Sequence, residues 1–271
     1  MSHAWLIIAH NEFEVLQRLI DSLDASESDF YVHIDKKVKE LPVLKVTKGR
    51  LFMLQDRVDV RWGHYSQIQC ELLLLETALS GGPYSHYHIL SGTHLPLKPL
   101  DELLSFYDSH KGEEIMRIWD ADEGDADFKL RRYHFPIRYF KSNDRPVRQR
   151  LDNWAWRLNL KVQKTFGIRH HCGESFRKTD NWLSLSEKAC AYLVSHKQEI
   201  LKKYRRSFCG DEYFVATELG KLPEFRILDC KNLLHVEFQG DTPRTFHTNS
   251  LPRLRATGCY WARKFSSVYG D

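Results

Sequence analysis

The stretch AWLIIAHNEFEVLQRLIDSLDASESDFYVHIDKK, residues 4–37, decides the fold class. Its first seven residues are a short apolar run, long enough for a buried strand and far too short to cross a membrane. Residues 12–23, EFEVLQRLIDSL, carry apolar side chains at helical spacing. Residues 29–37, DFYVHIDKK, form a β-rich run that ends in charge. Strand, helix and strand in this order make a βαβ unit, whose ligands gather at the carboxyl ends of the strands.

Working outward, RLFMLQ (50–55) reads as a strand, SQIQCELLLLETALS (66–80) as a helix closed by Gly81-Gly82, and YSHYHILSG (84–92) as a further strand. Alternation of this kind implies a parallel sheet with helices on both faces. Residues 120–180 differ: they are rich in Asp, Arg, Lys and Trp and contain a helical run, VRQRLDNWAWRLNLKVQKTF (147–166). No Gly/Pro/Ser linker brackets them, so they read as a lobe inserted into a single domain spanning 1–271. About 1–115 then reads as a nucleotide-binding half, and 116–271 as the acceptor side with a C-terminal diphosphate-binding segment. Strand signals return at NWLSLS (181–186), followed by a helix over 187–204 and by SFCGDEYFVATELG (207–220).

Composition narrows the function. Forty basic against 36 acidic residues leave a net charge of +4, which suits an anionic small molecule better than a nucleic-acid backbone. No segment approaches membrane-spanning length, and the N-terminus lacks the basic lead-in and cleavage site of a signal peptide. The six cysteines, Cys70, Cys172, Cys190, Cys209, Cys230 and Cys259, are scattered without a C-x-x-C pair. They read as free thiols in a reducing cytoplasm.

Several clusters offer chemistry, each beside a plainer reading. Asp35 falls just past a strand, where an acid can accept hydrogen bonds from a nucleoside; it also reads as a solvated turn acid before Lys36 and Lys37. Trp62 and Gly63 precede a helix, where a ring can stack on a base and a small residue can admit phosphate; a buried Trp with a turn glycine fits equally. After YHILS come Gly92, Thr93 and His94 rather than an Asp-x-Asp metal clamp, so a leaving diphosphate would need basic side chains. Residues 240–267 offer Arg244, Arg253, Arg255, Arg263 and Lys264, interleaved with aromatics that argue for packing. His86, His88, His170, His171 and Cys172 are the best zinc fragments, but none has a third ligand at familiar spacing. Asp211 is typed for a helix N-cap, with Glu212 in the first turn.

The order YVHIDKK, VRWGHYSQIQCELLLLETAL, YHILSGTHLPLKP, NWLSLSEKA, GDEYFVATEL and WARKF resembles the core-2/I-branching glycosyltransferases, a family that includes the peptide O-xylosyltransferases. The resemblance runs from about residue 4 to residue 265. It implies a GT-A type α/β fold, a Rossmann-like mixed sheet with helices on both faces. It also implies a UDP-sugar donor, a glycan or glycoconjugate acceptor, inversion at the anomeric carbon, and no metal or other cofactor. Glu212 falls on the family's catalytic base, Lys264 and Arg244 on its diphosphate ligands, and Asp35, Trp62 and Gly63 on its donor side. Trp182 and Asp211 are the acceptor-side candidates. His94 stands where the family usually has an acid. The anchor and disulfide cysteines of the animal enzymes have no counterpart here, which fits a bacterial, cytoplasmic relative. Two rival readings are a catalytically silent carbohydrate-binding protein using Trp119, Trp154, Trp156 and Trp182, and a zinc-dependent hydrolase built on the histidines.

Overall fold

A computed structural model describes residues 2–120, 122–141, 145–240 and 242–267. The elements in chain order are β1 (His3–Ala9), α1 (Phe13–Leu23), β2 (Ser28–Ile34), β3 (Arg50–Met53), α2 (Ser66–Leu79), β4 (Tyr87–Ser91), β5 (Leu95–Pro96), α3 (Leu100–Ser109) and β6 (Glu113–Met116). They continue with α4 (Glu123–Leu130), α5 (Pro146–Thr165), β7 (Leu183–Leu185), α6 (Glu187–Ser195), α7 (Lys197–Tyr204) and, after a 3-10 turn at Gly210–Glu212, α8 (Phe214–Leu219). Last come β8 (Arg226–Asp229), β9 (Leu234–His235), β10 (Phe238–Gln239), β11 (Thr242–Pro243), α9 (Leu251–Arg255) and β12 (Trp261–Ala262).

Seven strands form the main sheet in the order β3-β2-β1-β4-β7-β6-β8. β1 pairs in parallel with β2 and β4, and β2 with β3. The sheet is mixed, not all parallel, because β7 runs antiparallel to both β4 and β6. The near-continuous apolar runs of β1 and β2 are explained by burial on both faces. Side chains alternate across the pleat: Ala4 and Leu6 enter a core with α2, α6 and α8, while Trp5 and Ile7 enter one with α1, α3 and the C-terminal segment. On α1, Val15, Leu16, Leu19, Ile20 and Leu23 bury the expected face. A small sheet, β5-β12-β9, lays the C-terminal segment over that second core.

The single helix expected over 187–204 is two helices. Ser195 Oγ donates to the Tyr192 carbonyl at 2.8 Å and His196 Nδ1 lies 2.9 Å from it, so side chains compete at the carbonyl that closes α6. The histidines His86 and His88 are fully buried in β4 and its lead-in. His88 Nε2 pairs with His3 Nδ1 at 3.0 Å and its Nδ1 with Ser184 Oγ at 2.7 Å. Among the described residues no three His, Cys, Asp or Glu side chains are placed to hold a metal ion, and all six cysteines are free thiols.

One buried group stands out within α2. Glu71 is 1% exposed, and neither carboxyl oxygen has a partner among the described residues. Burial, and then the charge of Asp211, push its pKa well above the ordinary 4.5. The folded protein therefore keeps a proton that the unfolded chain releases. Its contribution to stability is fullest below the ordinary value and falls as pH rises towards the folded one, by up to about 1.4 kcal/mol per pH unit. Glu71→Met is expected to stabilise the protein more at pH 8 than at pH 5.5, by at least about 1 kcal/mol in urea denaturation. An equal effect at both pH values would show that the carboxyl ionises normally in the fold.

Candidate active site

The carboxyl ends of β1, β2 and β4 lie side by side. Asp35 N donates to Ala9 O at 2.8 Å, and Gly92 N to Ile8 O at 2.9 Å. The approach at Gly92 requires glycine, since a Cβ there would stand 2.7 Å from the Ala9 Cβ. In the turn that follows, His94 Nδ1 pairs with Ser91 Oγ at 2.7 Å. His94 is fully buried, and burial and then the neighbouring Arg263 hold its imidazole neutral, with a pKa well below 6.5. Phe265 N donates to Thr93 O at 3.0 Å, which draws the WARKF segment over this edge.

Asp35 is buried and engaged. Its carboxylate accepts from Lys37 N at 2.9 Å and from Lys37 Nζ at 2.6 Å. That ammonium also meets Asp59 at 3.2 Å, and Asp59 in turn pairs with Arg61 at 2.8 Å and Arg138 at 2.9 Å. The network pins the loop that carries Trp62. The Trp62 ring is 44% exposed, yet Phe140 stacks on it at 5.8 Å and the Lys141 ammonium lies 3.8 Å from its centre. Gly63 has φ +70°, and a Cβ there would meet the Phe208 ring at 2.7 Å. Packing against Phe208 thus accounts for the glycine without any ligand.

Lys264 sits at the same edge. His10, whose pKa is lowered chiefly by burial, lies within electrostatic reach of Asp35, Lys264, Lys37 and Arg263. Arg244 is farther out on the C-terminal segment, two residues before Phe246, whose N–H donates to Lys264 O at 2.7 Å. Its guanidinium pairs with Glu237 at 3.1 Å, and Glu237 also holds Arg253 at 2.7 Å. The Arg253 hydrogen bond, ahead of the other contacts, draws the Glu237 pKa down to about 2.

Glu212 closes the 3-10 turn. Cys209, just before it, takes a left-handed conformation with φ 49°, and Glu212 O accepts from Thr179 N at 2.8 Å. The Glu212 carboxylate is about a third exposed and accepts from Lys129 Nζ at 2.7 Å, with Lys178 Nζ at 3.8 Å. Both ammonium groups also approach Asp125, at 3.2 and 2.7 Å, and the Tyr213 hydroxyl donates to Asp125 at 2.6 Å. Burial alone would lower the Lys129 pKa, but the charge of Glu212 and its hydrogen bond hold it above the usual value.

Asp211 is not the helix cap that its type suggests. It is 5% exposed, sits inside the 3-10 turn, and takes its hydrogen bond from Asn181 Nδ2. Burial first, and then the charge of Glu212, push its pKa up to about 7. In this structure it presents no surface to an acceptor. Trp182 packs edge-on to His94 with ring centres 4.9 Å apart, beneath the Arg263 guanidinium at 4.9 Å. Trp156 is buried, its Nε1 donating to His134 Nδ1 at 2.9 Å. Trp119, 42% exposed, donates to Asp180 at 3.1 Å, and Arg117 pairs with the same carboxylate at 2.7 Å.

The sequence reading missed Lys129, Lys178, Asp125, Asn181 and Glu237; Arg263, named among the basic residues of the C-terminal segment, is partly buried. The first three come from the charged stretch 120–180, where a basic residue among other charges is indistinguishable from a solvated one.

A family model described as Branch: Core-2/I-Branching enzyme matches residues 3–253. Xylosyltransferase oxt of Drosophila pseudoobscura pseudoobscura is 24% identical over 284 residues, covering 93% of this chain and 30% of that protein. Xylosyltransferase oxt of Drosophila melanogaster matches at the same identity and coverage. The chain thus spans about 30% of the length of these curated relatives. Among solved structures, mouse xyloside xylosyltransferase 1 in its apo form shares 13% identity with a TM-score of 0.41, covering 96% of each chain. With the family model matching nearly its whole length, the chain belongs to the Core-2/I-branching enzyme family of glycosyltransferases.

Proposed function

We propose that this protein transfers a sugar, GlcNAc or xylose, from a UDP-sugar to a hydroxyl of a glycan or glycoconjugate, with inversion and without a metal. The observation that carries the reading is the Glu212 carboxylate, partly exposed on a braced 3-10 turn and hydrogen-bonded to Lys129 at 2.7 Å. The xylosyltransferase relatives support xylose as one of the two donors.

In the proposed reaction the acceptor hydroxyl attacks the anomeric carbon from the face opposite the diphosphate. The new carbon–oxygen bond forms as the bond to UDP breaks, and the hydroxyl proton passes to Glu212. Lys129 and Lys178 orient that carboxylate. The departing UDP takes the bonding pair, and Lys264 with Arg244 meets the charge that develops on the diphosphate. Lys264 supplies a point charge, whereas Arg244 presents a planar fork able to grip phosphate in two places. Asp35 and the Trp62 loop form the nucleoside side.

Glu212→Gln is expected to lower kcat by roughly a hundredfold or more while leaving UDP affinity nearly intact. A variant within about threefold of wild type would remove Glu212 from the role of base. Lys264→Ala should weaken UDP far more than uridine, because the lost contact is to phosphate; equal weakening of both ligands would make Lys264 structural. Turnover should survive about 10 mM EDTA, because the leaving-group charge is met by side chains rather than by an ion. Loss of activity in chelator, restored by Mn²⁺, would overturn the metal-independent reading.

A further inference from the structure

Helix α5 turns a largely polar, hydrogen-bonded face inward and an apolar stripe outward. Asp152, Trp156 and Gln163 are buried against the protein, where Gln163 and Asn159 bond the Tyr133 carbonyl and Gln149 bonds that of Phe140. On the far side Val147, Leu151, Trp154, Leu158 and Val162 face solvent, at 71, 58, 68, 47 and 41% exposure. At about 100° per residue these five positions share an arc of about 80°, centred opposite the buried face. Phe166, 73% exposed, continues the row past the helix end. The fold does not use this stripe, and isolated exposed apolar residues would not recur at 4, 3, 4 and 4 spacing.

Charge identifies what covers it. The helix carries Arg148, Arg150, Arg157, Lys161 and Lys164 against a single acid, Asp152, which is buried and paired with Arg148 at 2.9 Å. Arg150, Arg157, Lys161 and Lys164 are exposed and fall along one flank of the apolar arc. A second copy docked antiparallel across a two-fold axis would bring these basic rows together, and one docked parallel would leave each row without an acidic partner, because the helix has no exposed acid. A lipid surface with anionic headgroups accepts both features at once: the stripe enters the acyl boundary, the flank meets phosphates, and Trp154 sits at the interface. No helix among the described residues is long and apolar enough to cross a membrane, so the attachment is one of lying on the surface.

We infer that α5 docks this protein onto an anionic lipid surface through the Val147, Leu151, Trp154, Leu158 and Val162 stripe and its basic flank. The site is independent of the catalytic reading, and its test involves no sugar. The full chain is mixed with vesicles of phosphatidylcholine alone or with about 30% phosphatidylglycerol and separated by flotation, at low and high salt. Wild type should float with the anionic vesicles, at least about tenfold more than with neutral ones, and lose binding at high salt. Both Leu151→Ser/Trp154→Ser/Leu158→Ser and Arg150→Glu/Arg157→Glu/Lys161→Glu should abolish flotation. All six positions are exposed, so unchanged circular dichroism and melting temperature are expected to accompany that loss. Failure to float, equal binding to neutral vesicles, or variants that float like wild type would overturn the inference. So would a dimer in light scattering that the serine variant converts to monomer, because a second copy would then be the occupant.

Discussion

The antiparallel course of β7 is the constraint on which the site depends. Leu183 stands opposite Ile89 and Leu185 opposite Tyr87, so the chain enters β7 at the carboxyl end of β4. Residues 180–182 therefore arrive at the edge where β1, β2 and β4 also end. Asp180 reaches Arg117 and Trp119, Asn181 reaches Asp211, and Trp182 lies between His94 and Arg263. Asn181 and Trp182, adjacent in the chain, thus tie the turn bearing Glu212 to the C-terminal segment bearing Lys264. A parallel strand in this place would deliver them to the opposite edge of the sheet, and the two halves of the site would have no common support.

This dependence explains what the sequence could show. The βαβ unit at 4–37, helix α2 and strand β4 were legible because long apolar runs and helical periodicity are local signals that burial on two faces makes strong. The two-residue strands β5, β9, β10, β11 and β12 are too short to show any period, and the direction of β7 is not written in NWLSLS. Glu212 and Lys264 stood out only through motif order, since an acid after a turn and a lysine near a chain end are ordinary features. Lys129 lies 83 positions from Glu212 and Asn181 lies 30 from Asp211. Pairings at such separations come from the fold and leave no mark on local composition. The Asp211 reading failed for a related reason: type suggested a cap, whereas burial beside Asn181 decided its role.

Carboxyl groups run inward behind the site. Glu212 is the outermost, its charge raises the pKa of Asp211, and the charge of Asp211 adds to the burial that raises that of Glu71. Each inner group holds its proton more firmly because desolvation and an outer neighbour act in the same direction. The two ammonium groups stand only at the outer end, beside Glu212. The arrangement places the firmest negative charge at the partly exposed end and leaves the innermost carboxyl, Glu71, protonated, which avoids the penalty of an unpaired buried ion there.

If Glu212 is the base proposed above, the ammonium groups beside it must keep a partner when the acceptor proton reaches its carboxylate. The geometry around Lys129 meets that requirement. Its Nζ is shared between Glu212 at 2.7 Å and Asp125 at 3.2 Å, and Lys178 divides its charge between the same two carboxylates, closer to Asp125. Two cations serve two anions, so the set is balanced as it stands. If Glu212 takes up a proton, Asp125 remains within reach of both lysines, and neither ammonium is left buried without a partner. The Tyr213 hydroxyl, bonded to Asp125 at 2.6 Å, fixes that second carboxylate in place. On the proposed reading, the lysines hold Glu212 in position before transfer, and Asp125 keeps a partner for both ammonium groups once the acceptor proton has arrived.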